Sequence, residues 1–378
     1  MRPIPFVFGR LAVEADFTNR KQEIALVQSN FRMLVNTIII SPRRWGKTSL
    51  VNRVSEILDK EEPGLKICHI DLYNVRDESD FYLALAKEVL KVTSSKWEEM
   101  AQNASKFLSR LIPRITLAPD QQNEISFGIG WEELKKNPDD ILDLAESIAI
   151  EKKINIIICV DDFQNIAEFG EPLAFQKKLR SHWQRHNHVA YCLSGSKRHM
   201  FLDVFTNSSM PFYKFGQIIF LEKISHENWI SFIRERFRET GKQIGEKEAS
   251  MIASLSDNHP FYVQQLAQQT WLRTERICTP EIITESHHSL INQMSLLYMG
   301  ITEGLSIPQL GLLKACLAGE KQISSQATLK KYRMGTSGNV SRMKKSLADR
   351  DILDVQGDAI VFQDPGYAYW LKECYFKM

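Results

Sequence analysis

"TIIISPRRWGKTSL", residues 37–50, is the stretch on which the reading of this chain turns. Thr37 to Ile40 are all β-branched, so they form a short buried strand, and "GKTSL" opens a helix directly after it. Strand, loop and helix in that order are the setting in which the spacing G-x-x-x-x-G-K-[ST] cradles phosphate groups. Backbone N–H groups turn inward around the anion, with a helix N-terminus behind them. Gly46 lets the chain pass close to the phosphates, Lys47 reaches the β- and γ-phosphates, and the Thr48 hydroxyl binds Mg²⁺. Ser41 stands where the pattern has its first glycine. Serine reaches many of the same dihedrals, and an unsuitable one would cost about 1–3 kcal/mol, so the expectation is a working pocket formed by Ser41, Pro42, Arg43, Arg44, Trp45, Gly46, Lys47, Thr48 and Ser49.

Working outward, further apolar runs recur: "KICHIDLY" (66–73), "NIIICVDD" (155–162), "VAYCLSG" (189–195) and "QIIFLEKI" (217–224). They are continuous rather than alternating, which predicts strands covered on both faces and hence a parallel sheet. Amphipathic stretches at 48–60, 79–92, 138–151 and 172–186 lie between them, giving βαβ units and an α/β fold. Residues 93–137 break this rhythm. "RITL" and "EISFGIGW" flank a polar turn there, which predicts an inserted hairpin at the sheet edge. The first domain is therefore expected over 1–224.

"INIIICVDDFQNI" completes the site. Asp161 closes an apolar strand, about 110 residues after the phosphate loop, where a carboxylate can hold the Mg²⁺ shell. Asp162 follows, where a water-activating carboxylate is expected. It is one methylene shorter than glutamate, and small misplacements cost roughly 10²-fold, so slow hydrolysis is expected. Lys47, Asp161 and Asp162 are the candidate catalytic residues.

After Ile224 the pattern becomes helical. "SHENWISFIRERFRETG", "EKEASMIASLSDN" and "HPFYVQQLAQQTWLR" predict a small helical domain over 225–284, with Trp229, Phe232 and Phe237 in its core. From 285 to 378 the order is helix ("PQLGLLKACLAGE"), helix–turn–helix ("SSQATLKKYR", "MGTSG", "NVSRMKKSLADR"), then a hairpin around Gly357-Asp358. That is the order of a winged helix. Lys321 to Arg350 carries eight Lys/Arg against Asp349, a local charge of +7 on a chain of net charge +2. A recognition helix beginning near Thr336-Ser337 would display Asn339, Arg342, Lys344 and Lys345, with Lys330, Lys331 and Arg333 on phosphates, so DNA is a candidate partner. A solvated or protein-binding basic face is the alternative.

"PRRWGKTSL", "CVDDFQNI", the early "DFTNRKQEI" and the late winged helix together resemble the archaeal-type ATPase family, an AAA+-related group within the STAND class of signal-transducing P-loop NTPases. The resemblance implies a P-loop domain, a helical lid and a winged helix that bind ATP or ADP with Mg²⁺. It implies that Phe17 and Arg20 flank the adenine, that Ser194 or Ser196 is the polar sensor ending the fourth core strand, and that Lys214 stands where relatives carry arginine. Pro260, in "NHP", matches a G-x-P element that approaches the nucleotide, with Asn258 in place of its glycine. Ser41 and Lys214 bear more on hydrolysis rate than on binding, since lysine lacks the bidentate fork of arginine.

A hydrophobic fraction of 43% and a charged fraction of 25% are those of an ordinary globular chain. The six cysteines form no C-x-x-C pair, and Cys68, Cys159 and Cys192 sit in strand-like runs, which predicts buried thiols in a reducing compartment. The N-terminus lacks an apolar core for a signal peptide, and no apolar run approaches a membrane span. A cytoplasmic location follows as the expectation. "HWQRHNH" (182–188) lacks the glutamate of a zinc helix and is expected to be a surface helix end, and His287-His288 is assigned nothing. Three functions fit these residues: a slow ATPase acting as a regulatory switch, a DNA-binding ATPase of initiator or mobile-element type, and a pseudo-enzyme that holds ADP.

Overall fold

A computed structural model describes residues 4–12, 17–95, 99–100, 102–103, 106, 118–119, 125–126, 138–196, 198–356 and 359–378. By its internal contacts the chain divides into two compact units. One comprises Lys21–Ser41 and Lys47–Leu221, the other Met1–Arg20, Pro42–Gly46 and Glu222–Met378.

The first unit is α/β. Its elements are α1 (Lys21–Arg32), β1 (Thr37–Ile40), α2 (Lys47–Glu61), β2 (Leu65–Asp71), α3 (Glu78–Thr93), β3 (Ala118–Pro119), β4 (Ile125–Ser126), α4 (Pro138–Leu142), α5 (Leu144–Lys152), β5 (Asn155–Asp161), α6 (Pro172–Trp183), β6 (Val189–Gly195), α7 (Arg198–Thr206) and β7 (Gln217–Phe220). Five strands pair in the order β2–β5–β6–β1–β7, and every pairing is parallel. The parallel sheet expected from the unbroken apolar runs is therefore present, although the run "QIIFLEKI" stays a strand only to Phe220. Of the expected insertion at 93–137, most lies outside the described residues; within it β3 and β4 form a two-residue antiparallel ladder.

Register sorts the side chains of this sheet. One face carries Ile38, Ile40, Cys68, Ile70, Ile156, Ile158, Val160, Tyr191 and Leu193, and packs with Phe81, Leu85 and Val89 of α3 and with Phe175, Leu179 and Trp183 of α6. Both helices place apolar residues four apart, which lines one stripe toward the sheet. Trp183 stacks on Tyr191 with ring centroids 3.9 Å apart. Phe163 is fully buried among Trp183, Phe201, Phe205 and Phe212, meeting Phe212 edge to face at 5.3 Å. The opposite face carries His69, Asp71, Cys159, Asp161, Cys192 and Ser194 at the same register positions.

His182 and His186 correct the expectation of a surface helix end. Both imidazoles are buried, and both meet Asp143 Oδ1, at 2.7 and 3.0 Å. Burial works to raise the Asp143 carboxyl, but these two hydrogen bonds hold it below the ordinary value.

The second unit is helical. α8 (His226–Glu239), α9 (Glu246–Leu255), α10 (Pro260–Arg273) and α11 (Pro280–Glu303) close over Trp229, Phe232, Ile233, Phe237 and Phe6. Ser225 caps α8, accepting from Asn228 N–H, and Gly241 at φ +75° ends the turn beyond it. The N-terminal strand of chain lies along α10, where Gln264 Oε1 accepts from Val7 N–H and Gln268 Nε2 donates to the Phe6 carbonyl. α12 (Ile307–Leu317), α13 (Gln326–Lys331), α14 (Ser337–Asp349), the antiparallel pair β8 (Leu353–Gln356) and β9 (Ala359–Phe362), and α15 (Pro365–Trp370) follow. Their second core holds Leu312, Leu313, Val340, Met343, Leu347 and Leu353. The turn expected at Gly357-Asp358 lies outside the described residues. The boundary expected at 284/285 falls inside α11, which gives Ile283 to the first helical core and Ile291 and Tyr298 to the second. No helix among the described residues is long and apolar enough to cross a membrane.

Two measurements check this packing. Phe163→Ala should cost about 3–5 kcal/mol in denaturant unfolding, whereas Tyr73→Ala, at a position 74% exposed, should stay within about 0.5 kcal/mol. His259, buried at the start of α10, has its imidazole pushed down to about 3 by burial, reinforced by Lys223 and Arg44. Its folded value lies below the ordinary 6.5, so the unfolded chain binds the extra proton. Stability should be complete above that value and fall as pH drops from 6.5 toward 3, and His259→Asn should flatten that fall in urea titrations.

Candidate functional site

The loop after β1 begins at Ser41, which is fully buried and whose N–H continues the ladder to the Gly195 carbonyl at 3.4 Å. Ser41 is absent from the residues with positive φ, so the position makes no demand that glycine alone could meet. The positive φ values come later, at Arg44 (+63°) and Gly46 (+89°). Left-handed residues set among right-handed ones turn successive N–H groups toward one concavity, the geometry that receives anions. A Cβ on Gly46 would meet no atom, so its glycine serves the backbone angle and leaves open space beside it.

The side chains before Gly46 are engaged within their own unit. Arg43 pairs with Asp351 at 2.9 Å. The Arg44 guanidinium lies over the Phe261 ring at 4.4 Å, and Trp45 packs edge-on to His259. Arg20 is buried and donates to the carbonyls of Glu222, at 2.6 Å, and Trp45, at 3.3 Å. The side chains of Arg43, Arg44 and Trp45 thus hold the loop. Phe17 is half-buried.

Lys47, Thr48 and Ser49 form the first turn of α2, with Lys47 and Ser49 buried. Thr48 Oγ1 donates to Asp161 Oδ2 at 2.5 Å, and Ser194 Oγ donates to Asp161 Oδ1 at 2.5 Å. Three elements, α2, β5 and β6, therefore converge on one carboxylate. Burial works to raise the Asp161 carboxyl, but the Ser194 and Thr48 hydroxyls and the nearby Lys47 ammonium hold it below its ordinary value. It stays anionic, and a hydroxyl beside a carboxylate is a hard oxygen set of the kind Mg²⁺ takes.

Asp162 has φ +51°, a left-handed conformation that aspartate tolerates better than most residues. Its Oδ1 accepts from Gln164 Nε2 at 2.9 Å and from Ser196 Oγ at 3.4 Å. Between the two serines stands Gly195, where an added Cβ would come within 2.6 Å of the Phe201 ring and 2.7 Å of Gln164 Oε1. Glycine is required there by space. The sequence reading missed Gln164; its only signal was an amide side chain two residues after Asp162 in "DDFQNI".

The remaining candidates fall elsewhere. Lys214 is exposed, has φ +52°, and lies 5.2 Å from the Tyr213 ring. Pro260 starts α10, and Asn258 has φ +54°, which is why asparagine can stand in for glycine there. The residues expected to face DNA, on α13, α14 and the turn between them, divide. Lys330, Arg333, Arg342 and Lys345 are exposed, and Lys344 is half-buried. Lys331 pairs with Glu320 at 2.7 Å, and Asn339 donates to the Met334 carbonyl, so these two serve the domain's own turns.

Comparison with known proteins fits this geometry. Residues 17–266 match the ATPase family described as an ATPase domain predominantly from Archaea. No curated protein matches the chain in sequence. The fold is similar to the Walker-type ATPase PABY2304 of Pyrococcus abyssi (TM-score 0.64, 18% identity, 97% of this chain and 99% of that one). It is also similar to the Aeropyrum pernix ORC2 protein, solved as ADPNP–ADP complexes (TM-score 0.60, 15% identity, 97% and 95% covered). The Aeropyrum pernix ORC1 protein, solved in complex with DNA, follows at TM-score 0.50 with 10% identity, 95% and 94% covered. The family match spans well over half of the chain, the sheet and phosphate loop are those of a P-loop NTPase, and the protein is a member of this predominantly archaeal ATPase family.

Proposed function

We propose that the protein binds ATP and ADP with Mg²⁺ in the cytoplasm and hydrolyses ATP slowly, using the nucleotide state to reposition its lid and winged helix. The observation that carries the reading is the Thr48–Asp161–Ser194 cluster beside Lys47, at the first turn of the helix that follows the phosphate loop. In this proposal the loop's N–H groups and the Lys47 ammonium balance the phosphate charge, and Thr48 and Asp161 are the residues that would hold Mg²⁺. The metal, when bound, supplies charge neutralisation on the phosphate oxygens. Asp162 accepts the proton of the attacking water. Its short side chain and its two hydrogen bonds, from Gln164 and Ser196, hold it back from the position a glutamate would reach, which supports a low rate. Phe17, Arg20 and Pro260 belong to the adenine side, with Ser194, Ser196 and Lys214 as sensors.

A second reading rests on the wing: exposed Lys330, Arg333, Arg342 and Lys345 support DNA as a partner of an initiator-like ATPase. A protein partner is the alternative occupant of that face.

Calorimetry with ADP and Mg²⁺ should register binding in the wild type and a loss of at least about 100-fold in Lys47→Ala, which removes a buried charge-assisted contact. Asp162→Asn should keep ADP binding and lower turnover by roughly 10²-fold. Turnover unchanged by both substitutions, with ADP retained through purification, would turn the reading to an ADP-holding pseudo-enzyme. For the wing, removal of both Lys344 and Lys345 should reduce the slope of log affinity against log salt for duplex DNA by up to about 2. An unaltered slope discards the DNA reading.

A further inference from the structure

β2 ends beside β5, with Asp71 paired in register to Asp161 and His69 to Cys159. Ser194 continues the same row on β6, one position beyond the Val160–Leu193 pair. The row Asp71–Asp161–Ser194 therefore crosses three adjacent strands at their carboxyl ends, on the sheet face opposite the main apolar core. Thr48 and Asn52 of α2 join Asp71, Asp161 and Ser194 around one cavity of about 170 Å³. Such a volume exceeds what one water needs, and its lining sets these polar groups beside the apolar Val51, Ile70 and Val160.

The two aspartates are treated differently. Both oxygens of Asp161 accept hydroxyl hydrogen bonds, and Lys47 stands near it. Asp71 uses Oδ1 to accept from Tyr73 N–H at 2.8 Å, which caps the short turn Leu72–Asn74. Its Oδ2 has no hydrogen-bond or ion-pair partner among the described residues. Adjacent parallel strands lie about 4.8 Å apart, so the Asp71 carboxylate stands one strand away from that of Asp161. A cap alone needs no charge, since asparagine and serine cap as well as aspartate.

From this we propose that Asp71 is a positioning residue for the metal: its second oxygen accepts a hydrogen bond from water held by Mg²⁺ at Thr48 and Asp161. The inference rests on the reading of the phosphate loop as an Mg²⁺–nucleotide site. Mg²⁺ keeps several of its waters in protein sites, and carboxylates that orient such groups are worth about 10–100-fold in metal affinity. Asp71 thus differs in role from Asp162, whose carboxylate is held by Gln164 and Ser196.

The test separates charge from cap. Asp71→Asn and Asp71→Ser both keep a side-chain acceptor for Tyr73 N–H and both remove the negative charge. ADP is titrated into each protein by calorimetry, once with EDTA and once with Mg²⁺. In the wild type Mg²⁺ should strengthen ADP binding. In both variants the EDTA affinity should stay within about twofold while the Mg²⁺ enhancement falls by about tenfold or more. Thermal unfolding coincident with wild type excludes damage to the fold. An enhancement that survives in both variants makes Asp71 a cap only and overturns the inference. Equal loss with and without Mg²⁺ overturns it too, as a general defect of the pocket. A wild type that binds ADP with no Mg²⁺ effect instead removes the metal-site reading on which this rests.

Discussion

The carboxylate of Asp161 closes the carboxyl end of the sheet by accepting from the first turn of α2 on one oxygen and from β6 on the other. A half-buried anion of this kind is favoured when donors surround it, because desolvation alone drives a carboxyl toward its neutral form. The two hydroxyls and the ammonium of Lys47 are therefore as much a condition of the fold here as a feature of its chemistry. They fix where α2 starts relative to β5.

The strand order makes that place available. β1 lies between β6 and β7, while the chain leaves β1 for β2 at the far edge of the sheet. Open parallel sheets bind ligands outside the carboxyl ends of strands where successive connections part in this way. Ser41, Asp161, Ser194 and Asp71 all sit at such ends. Gly195 adds a steric condition, since the aromatic cluster behind it and Gln164 leave no room for a side chain between the two serines.

The elements that depend on local pattern were legible. Continuous apolar runs named the five sheet strands, "GKT" after a strand named the loop, and an acid closing "NIIICVDD" named the residue on which α2 and β6 converge. What escaped were pairings between distant residues. "HWQRHNH" reads as a polar helix end until Asp143, far away in sequence, is seen to receive His182 and His186. Arg43 and Arg44 read as residues of the nucleotide pocket by position, yet an aspartate beyond α14 and a phenylalanine of α10 engage their side chains. Asp71 reads as an interior residue of the run "KICHIDLY", yet it ends β2 and caps the turn that follows. Serine at position 41 worried the motif reading only because the motif does not say which of its positions carries a left-handed angle; here that burden falls on Arg44 and Gly46.

α11 has a mechanical consequence. It is 24 residues long and so spans about 36 Å, and it gives side chains to two separate cores, through Ile283 near one end and through Ile291 and Tyr298 further along. A continuous helix resists bending because each turn is braced by its neighbours' hydrogen bonds, so the bodies it threads cannot swivel independently about it. It works as a lever arm: a tilt of a few degrees imposed at its first turns becomes a displacement of ångströms at its last. The two helical cores are thereby joined by one continuous rod rather than by a flexible linker.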